Sequence, residues 1–242
     1  MPARAPATAP APVATAAPVL LLRHLCFAYP QQTPLLSDFS ADLPAGITLL
    51  QGDTGSGKST LLHLLAGGAD SLCATGALCS GALTLTGQAL ATNPAAYRRQ
   101  VCWFNPCDAA WDNTTPADLM AAQRRLHPGL DRAAWQRHLA GFALGPHLDK
   151  PLYMHSTGSR RKAGLAVALA ASTALTLLDD PTAGLDAASV AYLIAALNTA
   201  LNAAPHSPAG AAQRAFVLAS NHDLVGLTLA GRLLLGDLLQ ST

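Results

Sequence analysis

The stretch "GITLLQGDTGSGKSTLLHLLAGG", residues 46–68, decides the architecture. GITLL reads as a strand, LLHLL as the apolar-periodic start of a helix, and Gly67-Gly68 as its stop. Between strand and helix, Gly52, Gly57, Lys58 and Ser59 satisfy G-x-x-x-x-G-K-[ST], with Gly55 and Ser56 inside. Such a loop wraps a polyphosphate closely enough that side chains at the glycines would collide with it. Backbone N–H groups of residues 52–60 and the helix N-terminus point at the negative charge. The loop then holds phosphate through Gly52, Asp53, Thr54, Gly55, Ser56, Gly57, Lys58, Ser59 and Thr60. Lys58 adds a point charge for the outer phosphates, and the Ser59 hydroxyl is a Mg²⁺ ligand. A lone match can be an accidental glycine turn; a strand before it and a helix after it make nucleotide binding the expectation.

The second informative stretch is "LLDDPTAGLD", residues 177–186, an apolar strand that runs into Asp179 and Asp180. A magnesium nucleotide needs a carboxylate on its metal side at the end of a neighbouring parallel strand, and Asp179 fits that role. Asp180, one residue on, points elsewhere and addresses the attacking water. The competing reading, a helix cap plus a solvated charge, loses weight once the phosphate loop is present.

Further strand-like runs are ALTLT (82–86), VCWF (101–104), LTLL (175–178), AFVLA (215–219) and RLLLG (232–236). Helical periodicity joins Leu119, Met120, Gln123 and Leu126, then Trp135, Leu139 and Phe142, then Val190, Leu193, Ile194, Leu197 and Leu201. Strands alternating with helices predict an α/β sheet. The stretch 107–163 lacks good strands and reads as a helical insertion, and 203–214 reads as a loop. Residues 1–18 are alanine and proline with one charge, too interrupted for a signal peptide, and read as a flexible tail. The window 163–178 is shorter than the roughly 20 residues a spanning helix needs and ends on two acids. It reads as a buried helix followed by a buried strand.

Half of the residues are apolar, 12% are charged, and the net charge is +1. That balance makes no electrostatic case for nucleic acid. The five cysteines are odd in number and irregularly spaced, which suits a reduced cytosolic compartment and buried small residues better than a metal site. Arg160, Arg161 and Lys162 read as a solvated helix face.

Loop and acids together resemble the nucleotide-binding subunit of an ATP-binding cassette (ABC) transporter. LLDDPTAGLD resembles that family's Walker B and D-loop run. The resemblance implies that Asp179 serves Mg²⁺, Asp180 is the catalytic acid, and Asp186 works at a dimer seam. HSTGSRRKAGLAVALA (155–170) resembles the family signature, which assigns Ser156 and Gly158 to phosphate, 23 residues before Asp179 as is usual there. ASNHD (219–223) resembles the switch region, with His222 facing the γ-phosphate, and FAYP (27–30) resembles the segment whose aromatic, Tyr29, stacks on adenine. The implied fold is an α/β P-loop NTPase core with an antiparallel β subdomain and a helical subdomain at about 107–163, over residues 19–242. The implied cofactors are ATP and Mg²⁺. The implied partners are a transmembrane permease subunit and a second nucleotide-binding subunit, the same chain or a homologue. The implied place is the cytoplasmic face of the inner membrane, peripherally.

Three departures qualify the resemblance. The catalytic acid is usually glutamate, and Asp180 is one methylene shorter, about 1.5 Å of reach, which implies slow hydrolysis. The signature reads Ser-Thr-Gly-Ser, with Thr157 and Ser159 as mild changes. The Q-loop glutamine is replaced by Pro106, which has neither a side-chain amide nor a backbone N–H, with Asn105 adjacent. An insertion of about seven residues surrounds Cys73–Ala77. Asp180 and Pro106 both favour an alternative class, a regulatory subunit that dimerises on ATP and barely hydrolyses it. Soluble P-loop kinases are disfavoured because they need neither Gly-Leu-Asp after the acids nor a signature helix.

Overall fold

The described residues open on a hairpin that sequence patterning concealed. The computed structural model describes residues 17–103, 105, 109–202 and 214–235. Most of the expected tail, Pro106, Cys107 and most of the 203–214 loop therefore lie outside the described residues. In order, the elements are β1 (Leu20–Ala28), β2 (Leu36–Leu43), β3 (Gly46–Gln51), α1 (Lys58–Leu65), α2 (Ala69–Cys73), β4 (Leu78–Leu85), β5 (Gln88–Ala89), α3 (Pro94–Arg99) and β6 (Val101–Trp103). There follow α4 (Pro116–Leu126), α5 (Arg132–Gly141), α6 (Thr157–Ala170), β7 (Leu175–Asp179), α7 (Ala187–Asn202), β8 (Ala215–Ser220) and β9 (Leu229–Leu234).

Two sheets organise these elements. The first is parallel throughout, in the order β6-β7-β8-β3-β9. Its central strands are covered on both faces, which is why they read as unbroken apolar runs. Side-chain alternation splits them between two cores. Leu50, Leu177 and Val217 enter one core with α1 and the second sheet. Ile47, Leu49, Leu178, Phe216 and Leu218 enter the other with α4, α5, α6 and α7. The second sheet is antiparallel, β2-β1-β4-β5, and is the expected antiparallel layer.

In β1 the alternation breaks at His24, which has φ of 53°, and the register with β2 slips on either side of Leu25. In β2, Asp38 has φ of 52°. These bulges put Leu20, Leu22, Leu25 and Phe27 all in the core despite an irregular spacing. A strict period-2 reading misses such a strand. The edge strand expected at 232–236 instead begins at Leu229.

The insertion at 107–163 contains no strand among the described residues. Thr115 and Asp118 close a capping box at the start of α4, with Pro116 in its first turn, and Asp131 caps α5. The window 163–178 is the buried end of α6 followed by β7, as expected, and no helix of the described residues is long and apolar enough to cross a membrane. Two expectations fail. Cys26 and Cys73 are exposed rather than buried, and Cys79 is half-buried, while Cys102 is buried. The run 160–162 is not a solvated face: the Arg160 and Lys162 side chains keep only 15% and 14% of their exposure, because both are drawn into ion pairs.

Candidate functional site

Loop 52–57 leaves the carboxyl end of β3 and turns directly into α1. Gly57, the residue before the helix, is left-handed at φ of 94°, and a Cβ there would lie 2.4 Å from Leu35 Cδ2. Both conformation and packing therefore require glycine. No side chain caps α1, so its first N–H groups stay available to an anion. The Lys58 ammonium curls back to donate to Gly52 O at 2.6 Å and Asp53 O at 2.8 Å, inside the loop. Ser56 Oγ is buried with no hydrogen-bond partner, and a Cβ at Gly55 would meet nothing within 4 Å. Open space, a buried hydroxyl without a partner, a lysine inside the loop and an uncapped helix start fit a phosphate chain.

Three neighbouring strands bring the rest of the site to this edge. β8 lies between β7 and β3, and its register puts Asp179 level with Ala219, which is level with Leu50 on the other side. Asp179 is thus not on the strand beside the loop, as the sequence suggests, but one strand further, roughly 10 Å from Leu50 across β8. The turn after β8, Ser220–Asp223, emerges in the gap. Asp179 and Asp180 are both half-buried. Asp180 has φ of 43°, its N–H donates to Ala219 O at 2.9 Å, and its carbonyl accepts from Ala183 N at 3.1 Å. Aspartate is among the few residues that tolerate this left-handed conformation. The local backbone thus supplies a reason for the shorter acid.

His222 is exposed at the same edge. Its N–H donates to Ser220 Oγ at 3.2 Å, and that hydroxyl donates to His222 O at 2.9 Å, fixing the turn. On either side of it, Asn221 Nδ2 donates to Thr54 Oγ1 at 3.1 Å, and Asp223 accepts from Gln51 Nε2 at 3.0 Å and from Arg232. Sequence reading missed Gln51, Asn221, Asp223 and Arg232. Only the position of Gln51 directly before the loop, and of Asn221 and Asp223 beside His222, hinted at them.

Tyr29 follows β1, half-buried, with its hydroxyl 2.8 Å from Thr60 Oγ1 and its ring edge-on to Phe27 at 4.9 Å. The aromatic predicted for adenine is therefore seated against the first turn of α1, beside the phosphate loop. No group of three His, Cys, Asp or Glu among the described residues is arranged to hold a metal. A Mg²⁺ at this edge would be held by Ser59 and Asp179 together with phosphate oxygens and waters, as suits that ion.

The signature residues form a second, separate cluster. Ser156 caps α6 by accepting Ser159 N at 3.1 Å, and its hydroxyl donates to Ser159 Oγ at 3.0 Å. Among the described residues no hydrogen bond joins Ser156 or Gly158 to loop 52–60; the first turn of α6 packs on the turn after β7 instead. A Cβ at Gly158 would lie 2.3 Å from Gly184 O. Arg161 donates to Ala183 O, and Lys162 donates to Asp186 Oδ2 at 2.6 Å. Asp186 in turn caps α7, accepting Ser189 N at 2.8 Å. The Lys162 ammonium, then the Ser189 bonds, hold its carboxyl well below the usual carboxylate range. Arg160 pairs with Asp112, and Leu152 N and Tyr153 N donate to Thr114 O and Asp112 O at 2.8 and 2.9 Å. The segment after the Q-loop position is thereby bound to the signature.

A parallel sheet whose carboxyl edge gathers a phosphate loop, an acidic strand end and a histidine turn defines a P-loop nucleotide-binding fold. Residues 36–183 match the family described as ABC transporter, and the chain belongs to that family. The cytochrome c biogenesis ATP-binding export protein CcmA of Rhodospirillum rubrum is 39% identical over 150 residues, covering 62% of this chain and 61% of that one. The nickel import ATP-binding protein NikO of Rhodobacter capsulatus is 34% identical over 199 residues, covering 77% and 75%. A solved ATP-binding subunit of an ABC transporter superposes with a TM-score of 0.67 at 22% identity, covering 84% of this chain and 79% of that one. This last likeness concerns the fold.

Proposed function

We propose that the chain is the ATP-binding and ATP-hydrolysing subunit of an ABC transporter, with residues 19–242 as its nucleotide-binding domain. One observation carries this: the phosphate loop, the Asp179-Asp180 pair and the His222 turn leave three adjacent parallel strands at one edge. Lys58, now satisfied by two loop carbonyls, exchanges one of them for a phosphate oxygen. Tyr29 supplies a ring for the base, and the 52–60 amides cradle the phosphates. Ser59 and Asp179 would hold Mg²⁺, which would supply charge neutralisation at the outer phosphate oxygens. Asp180 accepts the proton of the attacking water, and His222 holds the γ-phosphate side.

Ser156 and Gly158, clustered with Asp186 away from this loop, serve the loop of a second nucleotide-binding subunit, identical or homologous. Dimer closure then moves a transmembrane permease subunit docked on the 107–163 region at the cytoplasmic face of the membrane. CcmA and NikO are named as ATP-binding proteins of export and import, which favours this coupling role over a weakly hydrolysing regulatory one. The test is phosphate release from Mg-ATP by the full chain with its membrane partner. Release well above that of Lys58→Ala is expected; equal rates would remove the enzymatic assignment.

A further inference from the structure

His222 is the group proposed to face the γ-phosphate, yet among the described residues its imidazole makes no hydrogen bond. What fixes its position lies beside it. Asp223 Oδ1 accepts from Gln51 Nε2 at 3.0 Å and from Arg232 Nη1. The same Arg232 nitrogen also donates to Gln51 Oε1 at 2.8 Å. The three side chains close a triangle drawn from the last residue of β3, the turn after β8 and the edge strand β9. The triangle is complementary at each corner. The amide NH₂ of Gln51 faces a carboxylate and its carbonyl faces a guanidinium, so a flipped amide would meet both partners wrongly.

The Arg232 and Asp223 side chains retain 47% and 61% of their exposure. An exposed ion pair contributes little to global stability. Its consequence is therefore geometric. Gln51 is also the residue from which the phosphate loop grows, so the triangle ties the histidine turn to the loop's own root. A second tie, Asn221 to Thr54 at 3.1 Å, grips the turn from the other side.

We propose that Gln51, Asp223 and Arg232 act as positioning residues, a clasp that sets the reach of His222 toward the γ-phosphate relative to loop 52–60. The clasp rests on the reading of His222 given above, and its test separates the two. Full-length protein is prepared as wild type, Arg232→Ala, Arg232→Lys, Gln51→Leu and His222→Ala. For each, kcat and KM for Mg-ATP and the thermal midpoint are measured. Arg232→Ala and Gln51→Leu are expected to lower kcat about tenfold, since a displacement of roughly 1 Å is costly in rate. KM should stay within about twofold and the midpoint within about 2 °C. Arg232→Lys should recover most of kcat, because one nitrogen makes both of the bonds and an ammonium can replace it.

Wild-type kcat in both Arg232→Ala and Gln51→Leu, alongside a large loss in His222→Ala, would overturn the clasp and leave the histidine's role standing. Wild-type kcat in His222→Ala would overturn that role and the clasp with it. A fall of many degrees in midpoint with KM rising in step, in both clasp variants, would show a structural tie only and also overturn the proposal. Gln51→Leu keeps the test open if Arg232→Ala does not fold.

Discussion

At Asp180, side-chain chemistry and backbone conformation pull on the same residue. Its φ of 43° favours aspartate, asparagine or glycine, while the proposed reaction favours a longer acid. Asp180→Glu is therefore expected to raise kcat for Mg-ATP and to cost about 1 kcal/mol of stability, read as a midpoint lower by about 2–4 °C. Asp180→Asn keeps the left-handed backbone and removes the base; phosphate release should drop on the order of a hundredfold, with the midpoint unchanged. Unchanged release in Asp180→Asn would remove Asp180 from the proton transfer. Gly158 makes a second residue-scale case. Its substitution by alanine would place Cβ 2.3 Å from the Gly184 carbonyl oxygen, a backbone atom that cannot rotate away. Calorimetry should show a loss of about 1–3 kcal/mol, the usual range for overpacking; a stable Gly158→Ala would mean that the turn after β7 yields freely. The sequence flags Gly158 for phosphate contact, but its packing against residue 184 is a tertiary fact that spacing cannot show.

Between elements, the informative contact is the seam of α6 with the start of α7. Lys162 holds Asp186, and Asp186 caps α7 through Ser189. Because the folded-state pKa of Asp186 is lowered, its contribution is present above the ordinary carboxylate value of roughly 4 and is lost as pH falls through the lowered value. Removing the ammonium raises that value toward the ordinary one. In an acid titration of unfolding, wild type should lose more stability than Lys162→Met as pH falls below about 4, because the variant's carboxyl titrates more nearly alike in the folded and unfolded chain; parallel curves would show that the pair has no such role. The legibility of the fold divides at this scale. β3 and α1 could be read because their signals are local: a strand, a glycine loop and a lysine in sequence. β1 and β2 could not, because His24 and Asp38 bulge out of phase and erase the alternation. The basic run 160–162 looked solvated because its partners, Asp112, Ala183 and Asp186, are distant in the chain.

Over the whole molecule, burial makes the chain sensitive to mild acid. Burial first, and Arg137 second, push His138 down to about 4, and burial also lowers His63 and His127. These imidazoles stay neutral in the folded protein while the unfolded chain takes up protons below about 6.5. The His138 contribution to stability should therefore fall as pH drops from about 6.5 toward 4 and level off below. Thermal midpoints across that range should decline less steeply in His138→Gln; equal slopes would exclude His138 as a source. The arrangement of the site was legible as far as its three motifs and their order. The strand interposed between Asp179 and the loop, and the ties at Gln51 and Asn221, depend on sheet order and were not. The central claim is that loop 52–60 and the end of β7 serve one triphosphate and its metal. Calorimetric titration of ATP into the full chain, with and without Mg²⁺, tests it most directly when repeated on Asp179→Asn. Mg²⁺ should tighten ATP binding at least about tenfold, roughly 1.4 kcal/mol, in the wild type and leave the variant nearly unaffected. An equal gain from Mg²⁺ in both proteins, or no ATP binding to the wild type, would contradict the account.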